Sequence, residues 1–298
     1  MKKIKYLLLI SALLIPAGFA SGQKKAPPKA VFAVLNDGKT LEPIAFIEDK
    51  KLKGIAEESG ESEGKTDLVK TFYKPKAKYN LIFGGKTAGT ATIVKDLADT
   101  ECASNQAEIS VLSSRVKPKG FLMALATNMV PKKTVKGIRQ LPHWSERLEI
   151  EKLVMAEMKA KKVPIKNTGE LRYHNLTKID VDDDGKFEFV GTFWYNTGEK
   201  IRSLLFFIAE KDSAGKISIA FSNFDEIKEE DVMSGEIKTI DDGVYHELLL
   251  DMLDYDGDGT REIFTIKAGF EGSNFYAYKK ENGQWTQVLE TSNYHCGY

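Results

Sequence analysis

The sequence predicts a mainly β protein, α+β overall, with one prominent helix. Three observations predict it. Short apolar runs alternate with polar residues along the first half of the chain. Turn pairs that tolerate positive φ, Asp37-Gly38 and Asn282-Gly283, sit between such runs. The last third contains an internal repeat, the usual signature of stacked β units. At 298 residues, 42% hydrophobic and 29% charged, the chain has room for one large domain or two modest ones with ample core.

Residues 1–20 read as a signal peptide. Lys2, Lys3 and Lys5 precede an apolar stretch, and Gly18 and Ala20 suit the −3 and −1 positions of a cleavage site after Ala20. Pro16 interrupts an apolar run already too short for a membrane span, and no cysteine lies near the cut to take a lipid. The expected location is secreted or periplasmic, with no membrane span after cleavage. Residues 21–30 form a polar, proline-containing leader, expected to be flexible.

Residues 31–140 are expected to form a β-rich N-terminal domain. "VFAVLNDGKTLEPIAFI" reads as a hairpin, and "KYNLIFGG", "GTATIVKDL", "AEISVLSS" and "FLMALATN" as strands. Between them "AEESGESEGKTD" (56–67) is acidic and rich in Gly and Ser, so a solvated loop is expected. A connecting helix falls within 141–165, over "SERLEIEKLVMAEMKAKK". Ser145 is the expected N-cap, glutamates crowd the first turns and lysines the last. Leu148, Ile150, Leu153, Val154 and Met158 are its expected buried face, packed against a sheet. Pro164 and "NTGE" mark the boundary to the last segment, 166–298.

Lys+Arg and Asp+Glu both count 43, so no global field points to nucleic acid or an anionic membrane. Loss of the three signal-peptide lysines leaves the mature chain about three charges negative. The two cysteines, Cys102 and Cys296, would form a disulfide in an oxidising compartment.

The repeat runs from His174 to Phe224 and again from His246 to Tyr294. Each copy has a histidine, an apolar lead-in, an acidic loop, strand-like runs and a closing Ser-Asn-aromatic. The acidic loops share the frame D-x-D-x-D-G-x-x-E. The first has Asp180, Asp182, Asp184, Gly185 and Glu188, and the second has Asp254, Asp256, Asp258, Gly259 and Glu262. Calcium takes six to eight oxygens, and alternate side chains of a tight loop can converge on one ion. The residue after the glycine, Lys186 or Thr260, can add a backbone carbonyl. Without a cation, like charges at about 4 Å repel by roughly 1 kcal/mol per pair in water. An EF-hand needs a bidentate acid at its twelfth position and a following helix. Here that position is Gly191 or Thr265, with strand-like residues around it.

The frame resembles the calcium loops of FG-GAP and VCBS-type repeats, as in integrin-like β-propellers. The resemblance covers roughly residues 174–294 and rests on the two loops. It implies that each loop joins two β-strands and that an ion holds the turn, giving about two Ca2+ ions. Asp180, Asp182, Asp184, Glu188 and the Lys186 carbonyl would hold one ion. Asp254, Asp256, Asp258, Glu262 and the Thr260 carbonyl would hold the other. The ninth position is Glu where Asp is common, the Phe-Gly and Gly-Ala-Pro signatures are missing, and two units are too few to close a propeller.

Other chemistry finds less footing. "FGGKT" (83–87) lacks the first glycine of a phosphate loop, since Asn80 stands there, and "HELLL" (246–250) lacks the second histidine of a zinc-protease helix. The histidines, His143, His174, His246 and His295, show no metal-triad spacing. The aromatics of the tail, Phe270 to Tyr298, are expected to pack in a core, although exposed ones would suit sugar stacking. The expected function is a secreted calcium-binding β-repeat protein with a binding or structural role toward an extracellular protein or glycan. A secreted hydrolase with a site assembled from distant residues is the alternative, and a calcium-regulated sensor a third reading.

Overall fold

The structure, a computed structural model, describes residues 27–54, 63–100, 102–103, 105–117, 123–131, 137–232, 237–269 and 271–295. The expected signal peptide and most of the leader lie outside the described residues. Strand accounts for 51% of the described residues and helix for 15%, so the fold is mainly β.

The hairpin at Asp37-Gly38 forms β1 (Lys29–Leu35) and β2 (Thr40–Glu48), and both turn residues take positive φ, 59° and 76°. A short β3 (Lys51–Gly54) pairs with β2. Next comes α1 (Glu63–Phe72). Part of the stretch expected to be a solvated loop is therefore helical, because Leu68 and Phe72 anchor the helix in a core that its polar start conceals. Residues 55–62 lie outside the described residues.

Strands β4 (Lys78–Ile82), β5 (Thr87–Asp96), β6 (Ala107–Ser113) and β7 (Ala124–Thr127) follow. The order β1-β7-β4-β5-β6-β2, closed by the β1–β2 pairing, makes a six-stranded antiparallel barrel. Closure removes the open edges that such a sheet would otherwise expose. Phe32, Phe72, Tyr73, Tyr79 and Leu81 fill the inside, with Phe32 edge-on to Phe72 and Tyr79.

The chain then passes through β8 (Arg139–Gln140) into α2 (Trp144–Ala160). The N-cap is His143 rather than Ser145: the Glu146 carboxylate accepts the His143 N–H at 2.9 Å, which fixes the start two residues earlier. Ile150, Val154 and Met158 are buried, whereas Leu148 is exposed.

The two segments expected to be copies of a repeat each fold into four antiparallel strands in sequence order. The first comprises β9 (Arg172–Ile179), β10 (Glu188–Asn196), β11 (Ile201–Lys211) and β12 (Ile217–Lys228), with β8 added beside β9. A one-turn α3 (Glu229–Val232) leads away. The second comprises β13 (Glu247–Leu253), β14 (Glu262–Ala268), β15 (Gly272–Glu281) and β16 (Gln284–Tyr294). "HELLL" is thus strand, and the acidic loops are the β9–β10 and β13–β14 connections.

The β13–β16 sheet is the middle layer. Strand side chains alternate between faces, so Leu250, Phe264, Ile266, Phe275 and Ala277 pack on the outside of the barrel against Val31, Ala33 and Ile44. Their neighbours Leu249, Met252, Ile263 and Tyr278 pack on Val190, Phe206 and Ile208 of the β8–β12 sheet. Helix α2 covers the far side of that sheet, against Phe189, Phe193 and Phe207.

One polar contact ties the barrel to the middle layer. A bulge in β13 between Leu249 and Asp251 leaves the Asp251 carboxylate 1% exposed. It accepts N–H bonds from Gly84 (2.9 Å) and Gly85 (2.7 Å) in the barrel's β4–β5 turn, and from its own neighbour Met252 (2.8 Å). The Arg139 guanidinium completes the set at 2.8 Å. Gly84 and Gly85 have φ of 66° and 71°, which turns successive N–H groups to one side and makes an anion-binding concavity. "FGGKT" does cradle an anion, and the anion is the chain's own carboxylate.

At the chain's end, Glu42 is fully buried and gathers Asn293 (3.0 Å), His295 (3.0 Å) and Gln106 (3.1 Å). The Glu42 hydrogen bond raises the His295 pKa above its ordinary value despite opposing burial. His295 also lies 3.0 Å from Gln106, four residues beyond Cys102. Cys296 lies outside the described residues.

Removing one partner from a buried, hydrogen-bonded ion pair strands the other. Asp251→Ala is therefore expected to destabilise the protein by about 3–5 kcal/mol, measured by guanidinium denaturation; a change within error would show that the barrel and middle layer hold together without this contact. Glu146 gives a pH-dependent counterpart. Burial would raise its pKa, but hydrogen bonds from Lys178, Lys211 and the His143 N–H outweigh it and hold the carboxyl at about 2, against an ordinary 4.5. A depressed pKa contributes stability that is fully present above the ordinary value and lost as pH falls through the folded one. Glu146→Ala should cost about 3 kcal/mol at neutral pH and flatten the acid limb of the stability curve between about pH 4.5 and 2. An acid limb as steep as that of the unaltered protein would contradict this.

Candidate metal centre

Strand pairing decides where each acidic loop begins and ends. Glu188 pairs with Ile179, and Glu262 with Leu253, so eight residues must turn between paired strand ends. The two turns are built alike. Gly185 N–H donates to Asp180 Oδ2 (3.2 Å), as Gly259 N–H does to Asp254 Oδ2 (3.1 Å). Asp184 N–H donates to Asp182 Oδ1 (3.1 Å), as Asp258 N–H does to Asp256 Oδ1 (3.0 Å). Glu188 Oε2 accepts from Val181 N–H (3.1 Å), as Glu262 Oε2 does from Tyr255 N–H (3.3 Å). Left-handed residues fall at matched places, Asp183 with Gly257 and Gly185 with Gly259.

These backbone bonds aim the carboxylates inward. In each loop one ligand atom from each of the three aspartates lies within 4.8 Å of the others, for Asp180, Asp182 and Asp184 and for Asp254, Asp256 and Asp258. The expected Lys186 and Thr260 enter through their N–H groups, which donate to Asp184 (2.7 Å) and Asp258 (2.8 Å). Glu188 and Glu262 close the buried floor. Burial pushes each of their carboxyls up to about 8, the response of an acid withdrawn from water.

The first loop holds the more telling atom. Asp180 is 1% exposed, and its Oδ1 is buried with no hydrogen-bond partner. An orphaned buried carboxylate oxygen is costly, and a cation among the three aspartates would satisfy it. Among the described residues Lys186 forms an ion pair with Asp184 alone, at 2.9 Å, and is half exposed. The residues present therefore fit a hard, oxygen-seeking cation such as calcium.

The second loop differs in one side chain that sequence reasoning missed. Lys279, on β15, reaches across to bond Asp256 Oδ2, lies 3.0 Å from Asp258 Oδ2 and 3.5 Å from Glu262 Oε1. Burial opposes its charge, but the bonds to Asp256 and Asp258 and the nearby Glu262 outweigh burial and raise its pKa above the ordinary lysine value. Arg261 was missed as well. It is buried, and it donates to the Asp180 carbonyl (3.0 Å) and to the Asp183 carboxylate (2.6 Å), while its N–H bonds the Val181 carbonyl (2.9 Å). The end of the second loop thus braces the first.

His143 caps α2 and His295 pairs with Glu42, whereas His174 and His246 meet each other, ring centroids 4.8 Å apart, and both lie against Trp194 at 4.4 and 4.6 Å. Of the tail aromatics, Phe275, Tyr278 and Trp285 are buried as expected, and Tyr294 is exposed.

Comparison with known proteins returns no match: no family model, no curated protein and no solved structure is similar to the chain. The resemblance to FG-GAP and VCBS-type loops therefore stands on the loop residues alone.

Proposed function

We propose that this is a secreted or periplasmic calcium-binding β-repeat protein. Its ions stabilise the loops that join the first two strands of each four-stranded unit, and it serves a binding or structural role toward an extracellular protein or glycan. The observation that carries the reading is the unpartnered, buried Asp180 Oδ1 inside a three-aspartate cluster. The matched hydrogen bonding of the two loops supports it, since the same carboxylate-orienting turn occurs twice. The D-x-D-x-D-G-x-x-E frame, which resembles the calcium loops of FG-GAP and VCBS-type repeats, supports calcium over other cations, and the features of residues 1–20 support export. Each ion would sit between strands that carry core residues, Ile179 and Phe189 at one loop, Leu253 and Ile263 at the other. Filling a loop fixes the turn between them, which is a stabilising rather than a catalytic role.

A ligand that binds only the folded state stabilises it by about 2.7 kcal/mol at a hundredfold excess over its Kd. Chelation of the mature protein is expected to lower its melting temperature by several degrees, and Asp182→Ala to remove most of that response. A melting curve unmoved by both millimolar calcium and chelator would rule out the structural role. The export reading adds a bridge. Cys102 and Cys296 should be joined in the exported protein, a link worth up to about 5 kcal/mol on loop entropy alone. The approach of His295 to Gln106 supports it. Peptide mapping without reductant should recover the two cysteines as one linked pair; two alkylated thiols would refute it.

A further inference from the structure

We propose that Lys279 is a built-in competing cation, so that the two loops bind calcium unequally: the Asp180 loop directly, the Asp254 loop only by displacing the Lys279 ammonium. This inference rests on the calcium reading of the loops and specifies it.

In the second loop, backbone N–H groups occupy both Asp254 oxygens (2.6 and 3.1 Å) and the Oδ1 atoms of Asp256 (3.0 Å) and Asp258 (2.8 Å). Lys279 Nζ engages the Oδ2 atoms of both Asp256 and Asp258, with Glu262 Oε1 at 3.5 Å. Calcium needs those oxygens at about 2.3–2.6 Å. An ammonium and a metal ion cannot share them, so one excludes the other.

Lys279 is built into this place. It is 9% exposed, and its Nζ lies 5.8 Å from the centre of the Tyr255 ring. The pairing of β14 with β15 sets Ile263 opposite Tyr278, which brings Lys279 beside Glu262. The same pairing in the first unit sets Glu188 opposite Glu210, an acid. Glu210 is itself engaged by Lys280 (2.7 Å) and the Trp285 indole N–H (2.6 Å). The residue beside the last acid of each loop is therefore reversed in sign between the units. The consequence is a graded response: the first loop fills at low calcium, the second only when calcium can outcompete a charge the protein supplies itself.

Calorimetric titration of calcium into the mature chain tests this, with Lys279→Met and Lys279→Gln alongside and folding checked by circular dichroism. The unaltered protein should show one tight site and one at least about tenfold weaker, a gap of about 1.4 kcal/mol. Either variant should tighten the weak site by about tenfold or more and leave the tight one unchanged. In an Asp182→Ala background the remaining site should be the weak one, and Lys279→Met should restore tight binding there. Two equally tight sites in the unaltered protein would overturn the proposal without any variant. So would a second site whose affinity ignores both substitutions. Absence of calcium binding in every form would instead overturn the underlying calcium reading.

Discussion

The carboxylate of Asp251 is the constraint on which the arrangement depends. A lone acid in the interior is unfavourable by several kcal/mol unless it is fully bonded, and here the bonds come from three places in the chain. Gly84 and Gly85 supply N–H groups from the barrel, Met252 one from β13, and Arg139 its guanidinium from β8, the edge strand of the outer sheet. Satisfying one charge therefore fixes the relative position of barrel, middle sheet and outer-sheet edge. Arg139 also lies over the Phe83 ring, 4.7 Å from its centre, and bonds the Met123 carbonyl, so its orientation is held as well.

From that point the constraint passes toward the loops by packing. A Cβ on Gly85 would come within 2.6 Å of the Arg261 side chain and 2.9 Å of Met252. Arg261 in turn holds Asp183 and the Asp180 carbonyl. The barrel turn, the end of the second loop and the body of the first are thus one contiguous contact. Hydrophobic burial on both faces of the middle sheet provides the non-directional adhesion, while these polar contacts set the register between layers.

What the sequence disclosed followed the distance between partners. The strands of the barrel, the helix and the two acidic loops were legible because their signals are local: period-two alternation, a capped apolar stripe, and ligands within nine residues of one another. Helix α1 was not, since its first turn is acidic and polar and its core contacts, Leu68, Val69 and Phe72, come only in its second half. Nor was the N-cap, where His143 does what Ser145 was expected to do. The decisive charges at the site were hidden for the same reason. Lys279 meets Asp256 only through the β14–β15 register, and Asp251 meets Gly84 across 167 residues. In one dimension Asp251 is merely a polar residue interrupting an apolar run.

The order of layers in space differs from their order along the chain. The sheet that lies between barrel and outer sheet is formed by β13–β16, the last strands to appear. Until they arrive, the barrel's outer wall and the inner face of the β8–β12 sheet have nothing to cover them. Assembly is thus dominated by non-local contacts, the kind that slows folding and leaves apolar surface transiently open to self-association. A chain stopped short of Glu247 would carry two sticky faces with the wedge between them missing. The β13–β16 sheet is what covers both of those surfaces.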